Sequence, residues 1–221
     1  NTTGINNTAV GYNAACSTVR GSNITAVGFG ALQNIAGTNA SATLYGPTAV
    51  GTCAGFGVLT APYGCNQGVY IGHKAAGGTA TNHYGIAIGA GASFNGTNAD
   101  QGTVHIGHHA GYNSSKGISI GCCAGYNNER NNVAIGVCPL YYNTTGKNNI
   151  ALGYGTMFNN TTADNNVAVG DYGLCSNTTG INNVAIGSCS LLMNTTGINN
   201  TAVGSCSLRM NRVSHNTAVG F

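Results

Sequence analysis

Charge is what this sequence has least of. Of 221 residues only 7 are Lys or Arg and 4 are Asp or Glu, and there is no Trp. The four carboxylates, Asp100, Glu129, Asp164 and Asp171, are too few and too dispersed to supply an acid and base pair. The short "GFG" and "GAG" pieces have no Lys-Ser/Thr behind them, and nothing marks a nucleophile elbow, so no enzyme is expected and no cofactor is implied. The basic residues are scattered, which leaves nothing to track a phosphate backbone and argues against nucleic acid as a partner. No apolar run is long enough to cross a bilayer, and no charged stretch followed by an apolar one opens the chain, so membrane insertion of this segment is not expected.

What the chain has instead is Gly, 36 of them, with Asn, Thr and Ser, and a hydrophobic content of 42%. Its polarity is carried by hydrogen-bonding groups that favour turns. The apolar positions recur too regularly for a disordered chain. "NTTGINNVAIGSCSLLM" at 177–193 is followed at once by "NTTGINNTAVGSCSLRM" at 194–210. Taking the Gly that closes each "xAVG" or "xAIG" as a marker gives thirteen, from Gly11 to Gly220, and from Gly136 to Gly204 the spacing is seventeen every time. Upstream it varies between fourteen and twenty-three, so the chain divides into an irregular part, 1–130, and a regular part, 131–221, of one architecture.

A repeat near this length indicates a solenoid. Each unit reads as a strand ("VAI"), a Gly turn, a second short strand ("SCSLL", "YGTMF") and an Asn-rich turn ("NTTGxNN"). Seventeen residues cannot hold a helical crossover, so the expected fold is all-β, a parallel β-solenoid of about 13 coils. At about 4.8 Å per coil the stack would be on the order of 60 Å long. Equivalent residues would then form columns, among them Asn132, Asn149, Asn166, Asn183 and Asn200, whose amides can bond one another. With Val and Ile assigned to the core, the alternating Ala134, Ala151, Ala168, Ala185 and Ala202 point outward as a stripe of small residues. That stripe is the expected seam of self-association, three rods around one axis.

The repeats "NNVAIG" and "NNTAVG" between Ser- and Asn-rich turns resemble the head repeats of trimeric autotransporter adhesins of the Yersinia type, and the "NTTGxNNTAVGYxAL" arrays of phage and viral tail-fibre proteins. The likeness covers nearly the whole chain and is closest over 131–221. It implies a left-handed parallel β-roll, trimeric, in a rigid segment of an extracellular fibre on a cell or virion surface, with a host receptor or glycan as partner. Nine cysteines and the irregular first half depart from the adhesin pattern and favour a viral or other fibre. Two rivals stand beside this reading: an open helical filament, and a monomeric solenoid that binds carbohydrate or ice. The chain begins and ends in mid-repeat and reads as a segment of something longer.

Individual residues add candidates. His108 and His109 hold the same offsets after Gly107 that Cys122 and Cys123 hold after Gly121, so stacking would gather ligand types that zinc or copper accepts, although a straight ladder makes no tetrahedron. Cys53, Cys123, Cys138, Cys189 and Cys206 share one column, where packing is the first expectation and disulfides the second. Asn143, Asn160, Asn177 and Asn194 open "NTT" sequons on turns and are candidate glycosylation sites. Tyr112, Tyr126, Tyr141 and Phe158, five after their markers, form an aromatic column for a coil corner, a chain interface or a sugar.

Overall fold

The structure, a computed structural model, describes residues 4–16, 18, 21–33, 44–57, 67–78, 85–95, 102–128 and 131–221. It forms two compact units, Asn1–Ser115 and Lys116–Phe221. Both are built from short strands and turns, with no helix among the described residues. Unit 1 holds β1 (Thr8–Val10), β2 (Gly21–Ser22), β3 (Thr25–Val27), β4 (Leu44–Tyr45), β5 (Thr48–Val50), β6 (Val69–Ile71), β7 (Ile86–Ile88) and β8 (Val104–Ile106). Unit 2 holds β9 (Gly117–Ile120), β10 (Asn132–Ile135), β11 (Ile150–Leu152), β12 (Val167–Val169), β13 (Val184–Ile186), β14 (Thr201–Val203) and β15 (Thr217–Val219). In unit 1 β1, β3, β5, β6, β7 and β8 pair successively and in parallel, while β2 pairs with β4. In unit 2 β9 to β15 do the same, with Ala134, Ala151, Ala168, Ala185 and Ala202 in one register. The architecture is a parallel β-solenoid, with one strand per coil in unit 2 and an additional two-residue strand, β2 or β4, before β3 and β5 in unit 1.

The second short segment of each coil is not a strand. Its backbone bonds the next coil, as from Met157 N to Gly173 O (2.9 Å) and Leu174 N to Ser190 O (3.0 Å), but left-handed residues bend it. In the regular coils four positions have positive φ: Asn165, Gly170, Tyr172 and Leu174 in one, Asn182, Gly187, Cys189 and Leu191 in the next. Left-handed backbone costs a non-Gly residue roughly 1–2 kcal/mol, so these turns persist because the stack on either side fixes them. At the marker only Gly fits: Gly170 has φ +117°, and a Cβ there would lie 2.7 Å from the carbonyl carbon of Gly187 in the next coil.

The facing expected from the sequence is inverted. Ala134, Ala151, Ala168, Ala185 and Ala202 are fully buried inside their own coils, packed with Leu140, Met157, Leu174 and Leu191, whereas Ile135, Ile150 and Ile186 remain 37–41% exposed. The interior of so tight a coil has room for a methyl group opposite a Leu and no more, so the branched side chains go outside. The Ala stripe is therefore core and is not available as a seam between chains. Unit 1 shows the same volume rule by its exceptions. His105 replaces Ala in β8, and the Leu position of that coil is Gly111, where a Cβ would come within 2.5 Å of His105 Nδ1. Ser119 and Gly125 make the same exchange in unit 2.

Two buried Asn ladders run through unit 2. In the expected one, the side-chain oxygen of Asn166 accepts from the backbone N (2.9 Å) and Nδ2 (3.1 Å) of Asn183, and that of Asn183 accepts likewise from Asn200 (3.0 and 3.1 Å). Asn183 Nδ2 also donates to Gly197 O at 2.9 Å. The second ladder is made of Asn143, Asn160, Asn177 and Asn194, all fully buried, each donating to the Asn below and to a carbonyl three residues on. These are the residues assigned above to glycosylation. A glycan on a buried Nδ2 would break the ladder and cannot fit the folded coil, which removes them as sites on the folded chain.

Asn183→Ala is expected to destabilise unit 2 by about 2–4 kcal/mol, because it strands a buried N–H and a carbonyl, while Asn182→Gly, at an exposed position with φ 57°, should cost under about 0.5 kcal/mol. Denaturant unfolding of the two variants measures the difference. Acid gives a second test. His105 is fully buried, neither ring nitrogen has a partner among the described residues, and burial lowers its pKa from 6.5 to about 4. Between those values the unfolded chain takes up a proton that the folded chain refuses. Stability is therefore unaffected above pH 6.5 and falls as the pH drops toward 4, by up to about 3 kcal/mol. Melting curves of the native chain and of His105→Met at pH 7.5 and 4.5 should show the acid loss shrinking in the variant.

Candidate functional site

Most of the exposed large apolar side chains of unit 2 lie on the strand face and on one corner of the coil, so a search for a binding surface starts there. In unit 2 the strand face presents Val133 and Ile135, Ile150 and Leu152, Val167 and Val169, Val184 and Ile186, all half-buried or exposed and stacked like over like. Covering what remains exposed of each is worth on the order of 1 kcal/mol. A stack of this length therefore offers a total of the order that association costs, about 4–15 kcal/mol.

The corner follows the marker Gly. Two residues on, the left-handed position holds Cys123, Cys138, Gly155, Tyr172, Cys189 and Cys206 in successive coils of unit 2. The cysteines of this column are half-buried on a turn rather than packed in the core. Three residues further, Tyr126, Tyr141 and Phe158 stack with centroids 5.0 and 5.4 Å apart, the corner packing expected of that column. Gly at the left-handed position accompanies a hollow where neighbouring side chains do not fill the space, unlike Gly30, whose vacated site is taken by Gln33. At Gly155 it is a cavity of about 340 Å³ lined by Cys138, Tyr154, Phe158, Tyr172 and Cys175.

Three thiols of this corner, Cys123, Cys138 and Cys175, are held toward the protonated form. Burial, helped by the hydrogen bond with Cys122, pushes the Cys123 thiol up to about 12, and burial raises Cys138 and Cys175. Thiolate is the form that attacks electrophiles and binds metals, so these groups are poor nucleophiles at neutral pH. Both described carboxylates are occupied in turns: Asp164 Oδ1 accepts from Lys147 N (2.6 Å), and Asp171 Oδ1 from Tyr154 N (3.0 Å).

Of the four residues proposed for a metal, His108 and His109 belong to unit 1, with their rings 4.0 Å apart, and Cys122 and Cys123 to unit 2, with their sulfurs 3.7 Å apart. Sequence reasoning missed the second Asn ladder and the hollows. The Asn ladder had a signal, since an Asn seven after its marker recurs as strictly as the one four before it. No protein-family model matches the chain, and neither a curated protein nor a solved structure matches it.

At pH 8, iodoacetamide should alkylate exposed Cys122 at least about tenfold faster than Cys123, with the Cys123 rate still rising beyond pH 10. Peptide mass spectrometry over a pH series reads both rates. Equal rates at pH 8 would show that the corner does not hold Cys123 neutral.

Proposed function

We propose that the chain is a non-enzymatic structural segment of a homotrimeric extracellular fibre, carried on a cell or virion surface, with adhesion as its purpose. The observation that carries this reading is the stacked Val and Ile face of unit 2, an apolar strip in which each coil repeats the last. A single chain leaves that strip in water. Three copies arranged around one axis bury it on every copy at once, one flank of each strip packing against the other flank of its neighbour's strip in a head-to-tail ring that closes. Three copies, and a left-handed roll with one coil per marker Gly, are what the resemblance to adhesin heads and tail-fibre arrays implies. Thiols kept protonated and carboxylates committed to turns support a structural role over a chemical one.

Light scattering of the purified chain under reducing conditions should give a mass near three chains. The double variant Ile150→Glu, Ile186→Glu, which places carboxylates on the exposed face, should run as a single chain at micromolar concentration with an unchanged far-ultraviolet spectrum. Ala168→Glu, by contrast, should lose that spectrum. A native chain that runs as a monomer would overturn the proposal. A very large and polydisperse mass would replace the closed trimer with an open filament.

A further inference from the structure

Three successive coils of unit 1 enclose a second hollow at the same corner. The middle coil contributes Ala90 and Gly91, which form the floor, and Phe94 beside them; a Cβ on Gly91 would collide with the His109 ring. Around the floor stand His73 and Lys74 from the coil before, His108 and His109 from the coil after, and Phe94 and Tyr112. The space is about 240 Å³. We propose that this cleft binds an acidic sugar, one pyranose ring bearing a carboxylate or sulfate group, with the C–H face of the ring on the aromatic pair and the anionic group toward Lys74 and the imidazoles.

Four observations lead to that ligand. The aromatic wall is fixed before anything binds: Phe94 and Tyr112 are stacked with centroids 5.3 Å apart, and the His109 ring meets Tyr112 edge-on at 5.0 Å. A rigid apolar platform with polar rims suits a ring that has one apolar face and a hydroxylated edge. The charge lining the cleft is of one sign, for Lys74 is exposed, its Nζ 5.9 Å from the Phe94 centroid, and no carboxylate is among the lining residues. Imidazoles can donate to an anion or accept from a hydroxyl. The volume is below the roughly 300–1,000 Å³ typical of drug-sized ligands, which fits a single ring. The three imidazoles of the lining do not gather their nitrogens closely enough to share one metal ion. The cleft uses turn residues and none of the strand-face Val and Ile, so it stands or falls independently of self-association.

Calorimetric titration of the full chain tests it, with methyl glucuronide and N-acetylglucosamine 6-sulfate as probes and methyl glucoside and inorganic sulfate as comparators. At least one acidic sugar should bind saturably and about tenfold more tightly than either comparator. Lys74→Asn keeps a residue that tolerates the left-handed backbone found there (φ 55°) and should weaken binding at least about fivefold with an unchanged melting temperature. Phe94→Ala should do the same to the sugars while leaving sulfate unaffected. No saturable binding of either acidic sugar up to about 20 mM would overturn the proposal. So would equal affinity for the neutral glucoside, or sulfate binding as tightly as the sugars, which would make this a bare anion site.

Discussion

Parallel register is the constraint on which everything else in this chain depends. Once Ala168 pairs with Ala151 on one side and Ala185 on the other, every residue of a coil is committed to lie over its own equivalent. A choice made once is repeated down the stack, for better or worse. Asn is a good choice under this rule because its amide both donates and accepts, so a column of buried Asn satisfies itself without charge. A column of buried carboxylates or ammonium groups would repel itself at every step. The absence of charge from the buried columns is thus explained by the architecture.

The left-handed positions follow from the same rule. A coil of seventeen residues must turn sharply several times, and here the turning is done by residues at positive φ, including Leu174 and Leu191 in the core. Such backbone is unfavourable for a single Leu. It is tolerable in a stack, because the bonds from Leu174 N to Ser190 O and from Leu191 N to Ser207 O both depend on that bend being copied in the next coil. Stability is accordingly cooperative between neighbouring coils, as in other linear arrays, and a substitution in one coil acts on the coils above and below it.

The coil and the first Asn ladder were legible in the sequence because strict recurrence at seventeen residues is a direct statement of register. The facing of the strand was not legible from residue type. Branched residues ordinarily mark the core side of a strand, and that generalisation fails where the interior is only wide enough for Ala opposite Leu. The sequence nonetheless held the correction, in the places where His105 and Ser119 replace Ala and Gly111 and Gly125 replace Leu. Two columns that exchange volume must share one cavity. The second Asn ladder was hidden by coincidence, since Asn followed by Thr-Thr also spells a sequon, and only burial distinguishes a structural amide from an acceptor of sugar.

Function in such an array arises where the repeat is broken, and the hollows show how. A uniform column is flat, because each side chain is flanked by copies of itself, and a flat surface binds small molecules poorly. Replacing one member by Gly, as at Gly91 and Gly155, creates a depression whose walls are the side chains of the neighbouring coils. The backbone needs no adjustment, since that position is already left-handed and Gly takes it without strain. The chemistry of the hollow is then set by the coils on either side: cysteine and tyrosine around Gly155, histidine, lysine and aromatics around Gly91. A repeat of this kind can therefore acquire a binding site by one substitution to Gly, with the rest of the coil unchanged. The sequence signature of a site is a gap in a column rather than a conspicuous residue, which is why a search for catalytic or metal-binding side chains passes over it.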